Sequence, residues 1–224
     1  MQWLGIYVEK DNDQVELTFK VYVLMKNMMT AFLVFMIATN ISAQSNWKEK
    51  SDKDGIKVYT RELDDSALDE FKGVTVIHAS INDIETVLRD VPNMVQWVPN
   101  CIISRIIELN DEMQIHYVAY DAPWPASGRD SYVQYKLVQE GKNLKIYFNG
   151  LPDYGPELED FVRVPQITGF WLLEPISASK TRVTYQVSAD PGGSVPTWLA
   201  NAGAVDTPYN TIKGLRKRIE TLKK

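Results

Sequence analysis

Residues 195–220 read VPTWLANAGAVDTPYNTIKGLRKRIE, and their reading decides the fold. Val195, Trp198, Leu199, Ala202, Val205, Tyr209, Ile212, Leu215 and Ile219 recur at the spacing that lays apolar side chains along one helical face. One long helix is predicted from Val195 to the C-terminus. Pro208 lies inside it and has no N–H to donate, so a kink or an opened turn is expected there. A helix with so broad an apolar face needs a surface to bury it against, and the preceding residues supply one. Strands are predicted over 101–109, 112–121, 130–139, 143–149, 162–174 and 181–189, with turn residues at 109–112 and 140–143.

Further toward the N-terminus, Asp54-Gly55 marks a turn, after which Ile56, Val58 and Thr60 alternate as in a strand. FKGVTVIHAS (71–80) is a second β-branched run. Asn82 is read as the cap of a short helix that places Ile84, Val87 and Leu88 on one face. Pro92 and Pro99 bracket a second helical turn, and the polar stretch Trp47 to Lys53 reads as a helical lead-in. Strands in succession with helices segregated from them predict an α+β fold with an antiparallel sheet. A curved sheet wrapped around the terminal helix is the helix-grip arrangement, which leaves room for a small molecule between the two layers.

The chain has 224 residues, 45% of them hydrophobic, which suits one domain with a sizeable core. A net charge of −5 argues against a partner held through phosphate contacts, so no nucleic-acid role is expected. MKNMMTAFLVFMIATNISAQS (25–45) has the layout of a secretory signal peptide. Lys26 forms the basic region, Ala31 to Ala38 the apolar region, and Ile41-Ser42-Ala43 the cleavage site. Residues 1–24 precede that signal and read as an extension from a mis-called start. The expected product is therefore exported, periplasmic or secreted, and soluble, beginning near Gln44. Cys101 is the single cysteine, which leaves no disulfide within the chain and no lipid anchor after the apolar region.

Enzyme chemistry is sparsely provided. His78 and His116 are the only histidines, without metal-ligand spacing, and no nucleophile elbow or phosphate-binding loop is present. No metal and no cofactor are expected.

One connector is unusual. APWPASGRD (122–130) joins two strands through a stiff apolar loop, where a hairpin needs only a short polar turn. With DGIKVYTRE (54–62), WVPNC (97–101), RVPQITGFWLLEP (163–175), DPGGSVPTWLAN (190–201) and PYNTIKGLRKRIE (208–220), it makes the sequence resemble a START domain. That lipid-transfer module belongs to the helix-grip, Bet v 1-like superfamily, and the likeness spans residues 47–222. The resemblance implies an apolar tunnel that binds or carries a lipid, a loop at its mouth, and the C-terminal helix as a lid. Trp124 then sits on the loop over the mouth, where it caps the tunnel or touches a membrane transiently.

Sterol-binding members of the family face a buried acid and a buried base across the strands that flank this loop. Pairing 121 with 130 about the loop puts His116 opposite Tyr135 at those positions, a neutral pair in place of a charged one. Val118 shares the face of His116. The expected lining of the sheet is Val133, Tyr135, Ile146, Phe148, Trp171, Tyr185 and Val187, and that of the helix Trp198, Leu199, Ala202 and Tyr209. Two other classes compete with lipid binding by a monomer. One is a polyketide-cyclase-like enzyme with His116 as base beside Tyr135; the other is an interaction module whose core is filled. The basic cluster Lys213, Arg216, Lys217, Arg218, Lys223 and Lys224 reads as a solvated face suited to the helix C-terminus, with docking on anionic lipid as the alternative.

Overall fold

The computed structural model describes residues 25–26, 46–64, 66–110, 113–122, 126–193 and 197–223. Two units are present, 1–45 and 46–224. In the first, only Met25 and Lys26 are described, as helix, so the expectations about residues 1–24 and the signal peptide lie otherwise outside the described residues.

The second unit opens with a hairpin where a helical lead-in was expected. β1 (Lys48–Lys53) folds back onto β2 (Ile56–Leu63) through Asp54 and Gly55, with φ of 54° and 70°. Both turn residues are left-handed, the geometry that matches the twist of paired strands. The tight turn, rather than any alternation in a polar segment, sets the conformation of β1. β3 (Ser66–Ile77) follows, then α1 (Ile81–Arg89) and a 3-10 turn (Val91–Gln96). Ser80, not Asn82, caps α1: its hydroxyl accepts from the Asp83 amide while the Asp83 carboxylate accepts from the Ser80 amide. Ile84, Val87 and Leu88 are its buried face, as predicted.

The meander comprises β4 (Cys101–Leu109), β5 (Met113–Tyr120), β6 (Gly128–Glu140), β7 (Asn143–Gly150), β8 (Phe161–Arg163), β9 (Gln166–Ser177) and β10 (Lys180–Asp190). The single strand expected over 162–174 is divided at Pro165. β8 pairs in parallel with the start of β6, and β9 pairs antiparallel with β7 and β10. The sheet runs β1-β2-β3-β10-β9-β7-β6-β5-β4, with β8 off this path, and is antiparallel apart from β8. It is the expected curved helix-grip sheet, closed by α2 (Thr197–Leu222).

α2 is helical through Pro208 without interruption. Its C-terminal half is fixed closely to the sheet. A Cβ on Gly73 of β3 would come within 2.5 Å of Ile212, and one on Gly214 within 2.0 Å of the Trp97 carbonyl oxygen. The Tyr209 hydroxyl donates to Asp54 at 2.5 Å, and Arg216 donates to the Asp54 carbonyl and to the Thr75 hydroxyl. Arg218 donates to Gln96, and Lys223 to the His78 carbonyl. Much of the basic cluster thus ties the helix to the sheet and to the turn after α1.

Both faces of the β5–β6 region are covered. On the inner face lies the main core, and on the outer face Tyr117, Ala119 and Tyr132 pack with Ile103, Leu151 and Phe161. Arg163 organises that outer layer. It is paired with Asp130, the two side chains 6% and 1% exposed, and also donates to the carbonyls of Pro152, Gly155 and Pro156.

Candidate ligand-binding site

β5 settles the orientation of His116. Its even-numbered residues face the main core and its odd-numbered ones the outer layer, and both sets are buried. Alternation alone, with the more apolar Met113, Ile115, Tyr117 and Ala119 on the other face, would have turned His116 to solvent, whereas the apolar face of the partner strand points it inward. His116 is inward and 1% exposed. The register differs by two residues from the symmetric expectation. Ala119, not 121, lies opposite Asp130, which places Val133 opposite His116 and Gln114 opposite Tyr135. The connector at 121–127 is longer than the symmetric pairing allowed. A two-residue slip keeps every side chain on its face, since side chains alternate with a period of two. His116 and Tyr135 therefore still meet, diagonally, with ring centroids 4.5 Å apart and planes at 85°.

From that pair an aromatic band crosses the inner face. Tyr135 lies 5.9 Å from Phe148, Phe148 lies 6.1 Å from Tyr185, and Tyr185 stacks on Trp171 at 4.0 Å. Gly169 makes the crossing feasible. It stands between Phe148 and Val187 in the sheet, and a Cβ there would come within 2.5 Å of the Phe148 ring. Val118, Val133, Ile146 and Val187 fill the same buried core. Tyr209 stands at the edge of that core with its hydroxyl on Asp54. Trp124 and the side chains of Trp198, Leu199 and Ala202 lie outside the described residues. The sequence reading overlooked Gly169, Gln114, Tyr120 and Cys101. Tyr120 was legible as the continuation of the 116, 118 alternation, and Cys101 is its partner across β4–β5.

The band is electrically quiet. Burial pushes the His116 imidazole down to about 4, so it is neutral at pH 7, and its Nδ1 has no hydrogen-bond partner. Burial likewise pushes the Tyr135 hydroxyl upward, opposed by a hydrogen bond from Trp171. The Tyr120 and Tyr185 hydroxyls are raised by burial, and the Cys101 thiol is raised to about 11. The two buried carboxylates, Glu70 and Asp130, both point to the outer face, where Arg61 and Arg163 answer them. Among the described residues, the aromatic band carries no ionised side chain, the Arg216 guanidinium meeting the sheet at Thr75, and there is no cluster suited to a metal ion. Such a surface can hold apolar atoms and exchange hydrogen bonds with an uncharged polar group.

Comparisons with known proteins agree with this architecture. An uncharacterized protein of Pseudomonas aeruginosa is 37% identical over 191 residues, covering 85% of this chain and 94% of its own length. The mouse phosphatidylcholine transfer protein is 26% identical over 188 residues, covering 80% of this chain and 86% of that protein. The crystal structure of a STAR-related lipid transfer protein fragment from Xanthomonas axonopodis superposes with a TM-score of 0.74 at 39% identity. That match covers 78% of this chain and 99% of that one. The START domain profile matches residues 36–224, and the chain belongs to the START domain family.

Proposed function

We propose that the protein binds a lipid or similar hydrophobic small molecule between the inner face of the sheet and α2, and carries it between membranes. The observation that carries this reading is the buried aromatic band ending in the neutral pair His116–Tyr135, within a family whose relatives are named for lipid transfer. The ligand's polar end is uncharged. An ionised headgroup placed there would lack a counter-charge, at a cost of several kcal/mol. We further propose that the protein acts as a monomer that touches membranes transiently, and that it is exported, with the mature chain starting near Gln44.

Turnover is not part of this reading. A general base works best with a pKa near the working pH, and His116, held near 4 and without a carboxylate to orient it, is poorly suited. Native mass spectrometry of the purified protein should show a co-purifying neutral lipid. After delipidation, a fluorescent sterol or diacylglycerol should bind one to one, with a phosphatidic acid probe excluded. Failure of every apolar probe would favour the interaction module, and a turnover abolished by His116→Ala would favour the cyclase class.

A further inference from the structure

The sheet is split at one place. β3 and β10 pair from Ile77↔Thr181 to Phe71↔Val187 and no further. Both strands nevertheless continue. β3 remains paired with β2 back to Ser66, and β10 remains paired with β9 out to Asp190. Over 66–70 and 188–190 the two strands are no longer paired, and the Gln186 side chain bridges them on the outer face by donating to Glu70 at 2.7 Å. This unpaired stretch, the slot, carries Phe71, Val187 and Ala189 on its inner side. α2 runs along β3 in the same direction, with Asn201 beside Asp69 and Pro208 beside Gly73, so its N-terminal half lies across the slot.

That half is held by contacts unlike those of the other. Below Pro208 the helix is locked by close packing and several polar ties. Above it, the Asn201 side chain accepts from the backbone amide of Asp69 at 3.1 Å, in a stretch of β3 that has no ladder partner on β2 or β10. A second hold acts on the chain leading into the helix. Arg129 donates to the carbonyls of Pro191 (3.3 Å) and Gly192 (3.2 Å), and also to that of Ser127. The backbone it grips is that of Pro191 and Gly192, and Gly192 and the following Gly193 both have φ of 66°. Each hold is a side chain on a main-chain group, so release leaves the strands intact and exposes groups that water can satisfy. An added Cβ at Gly203 would meet nothing within 4 Å, so that side of the helix is open, while Ala204 and Val205 on the other side touch the core.

We infer that the slot between β3 and β10 is the passage through which the ligand exchanges, and that Asn201 and Arg129 are positioning residues whose release sets the exchange rate. The inference rests on the lipid-binding reading above. It requires no movement of the packed half of α2, because the two holds act only on its N-terminal half and on the strand ends. Low-stability elements of this kind supply most gating motions.

The test follows transfer of NBD-cholesterol from phosphatidylcholine vesicles to the full chain. Asn201→Ala and Arg129→Gln should each speed transfer about two- to tenfold, the range set by one net hydrogen bond. Amide hydrogen exchange at Asp69 should accelerate in parallel with transfer in Asn201→Ala, while the melting temperature moves little. Asp69→Cys combined with Asn201→Cys, in a Cys101→Ala background, should slow transfer at least tenfold when oxidised and recover on reduction. Unchanged transfer in Asn201→Ala and Arg129→Gln, or equal rates in the oxidised and reduced double-cysteine protein with the disulfide verified by mass, overturns the slot alone. A wild-type protein that takes up no probe overturns the binding reading, and the slot with it.

Discussion

His116 stands where a burial cost becomes measurable as pH dependence. Its folded pKa of about 4 lies below the ordinary value of 6.5, so the unfolded chain binds the proton more readily. The sign follows: stability contributed by the neutral imidazole is fully present above pH 6.5 and is lost as the pH falls toward 4. The loss amounts to roughly 3 kcal/mol, and His116→Phe should remove it. Urea denaturation of both proteins at pH 7.5 and 4.5 measures the difference, since the carboxylates common to both cancel. On the outer face, Arg163→Ala leaves Asp130 buried and uncompensated, and should cost about 3–5 kcal/mol in the same assay. The identity of the inner pair was legible from the sequence through the family likeness, but its registration was not. Symmetry about the loop assumed a short connector, and only the slip by a whole pleat period preserved the meeting of His116 with Tyr135. Gly169 was invisible for another reason: a residue without a side chain gives no signal that the Phe148 ring on the neighbouring strand depends on its absence.

Among the elements, the two glycines of α2 should behave in opposite ways. Gly214 lies against the Trp97 backbone, which cannot step aside as a flexible side chain would. Gly214→Ala should therefore destabilise by about 1–3 kcal/mol. Gly203 has open space, and Gly203→Ala should stabilise by up to about 1 kcal/mol through helix propensity. Thermal melts of the two variants decide the matter. α2 was the most legible element, because a long amphipathic period survives local irregularities such as Pro208. α1 was legible in its buried face, though the cap moved two residues, since Ser80 and Asn82 are both good caps and only the reciprocal bond with Asp83 discriminates. β1 was misread because five of its six residues are exposed and carry no alternation; its conformation comes from the turn that follows. β8 and β9 were fused because Pro165 interrupts what is otherwise one apolar run.

At the scale of the molecule, the class of fold followed from the order of elements, whereas the strand path did not. That β3 lies beside β10, joining the first strands to the last, depends on long-range pairing that no local period encodes. Export remains a proposal of the sequence, and N-terminal sequencing of the secreted or periplasmic product should return a start close to Gln44; recovery of residue 1 on a cytoplasmic product would refute it. The position of α2 has a consequence for biosynthesis. This 26-residue helix follows all ten strands in the sequence, and it packs on β2, β3 and β10. Until α2 has been translated, the sheet lacks the element that covers its inner face, so a nascent chain that stops short of it is expected to stay open to protease. Stalled ribosomal complexes displaying residues up to 190 should be digested rapidly by protease, and full-length chains held clear of the exit tunnel should resist.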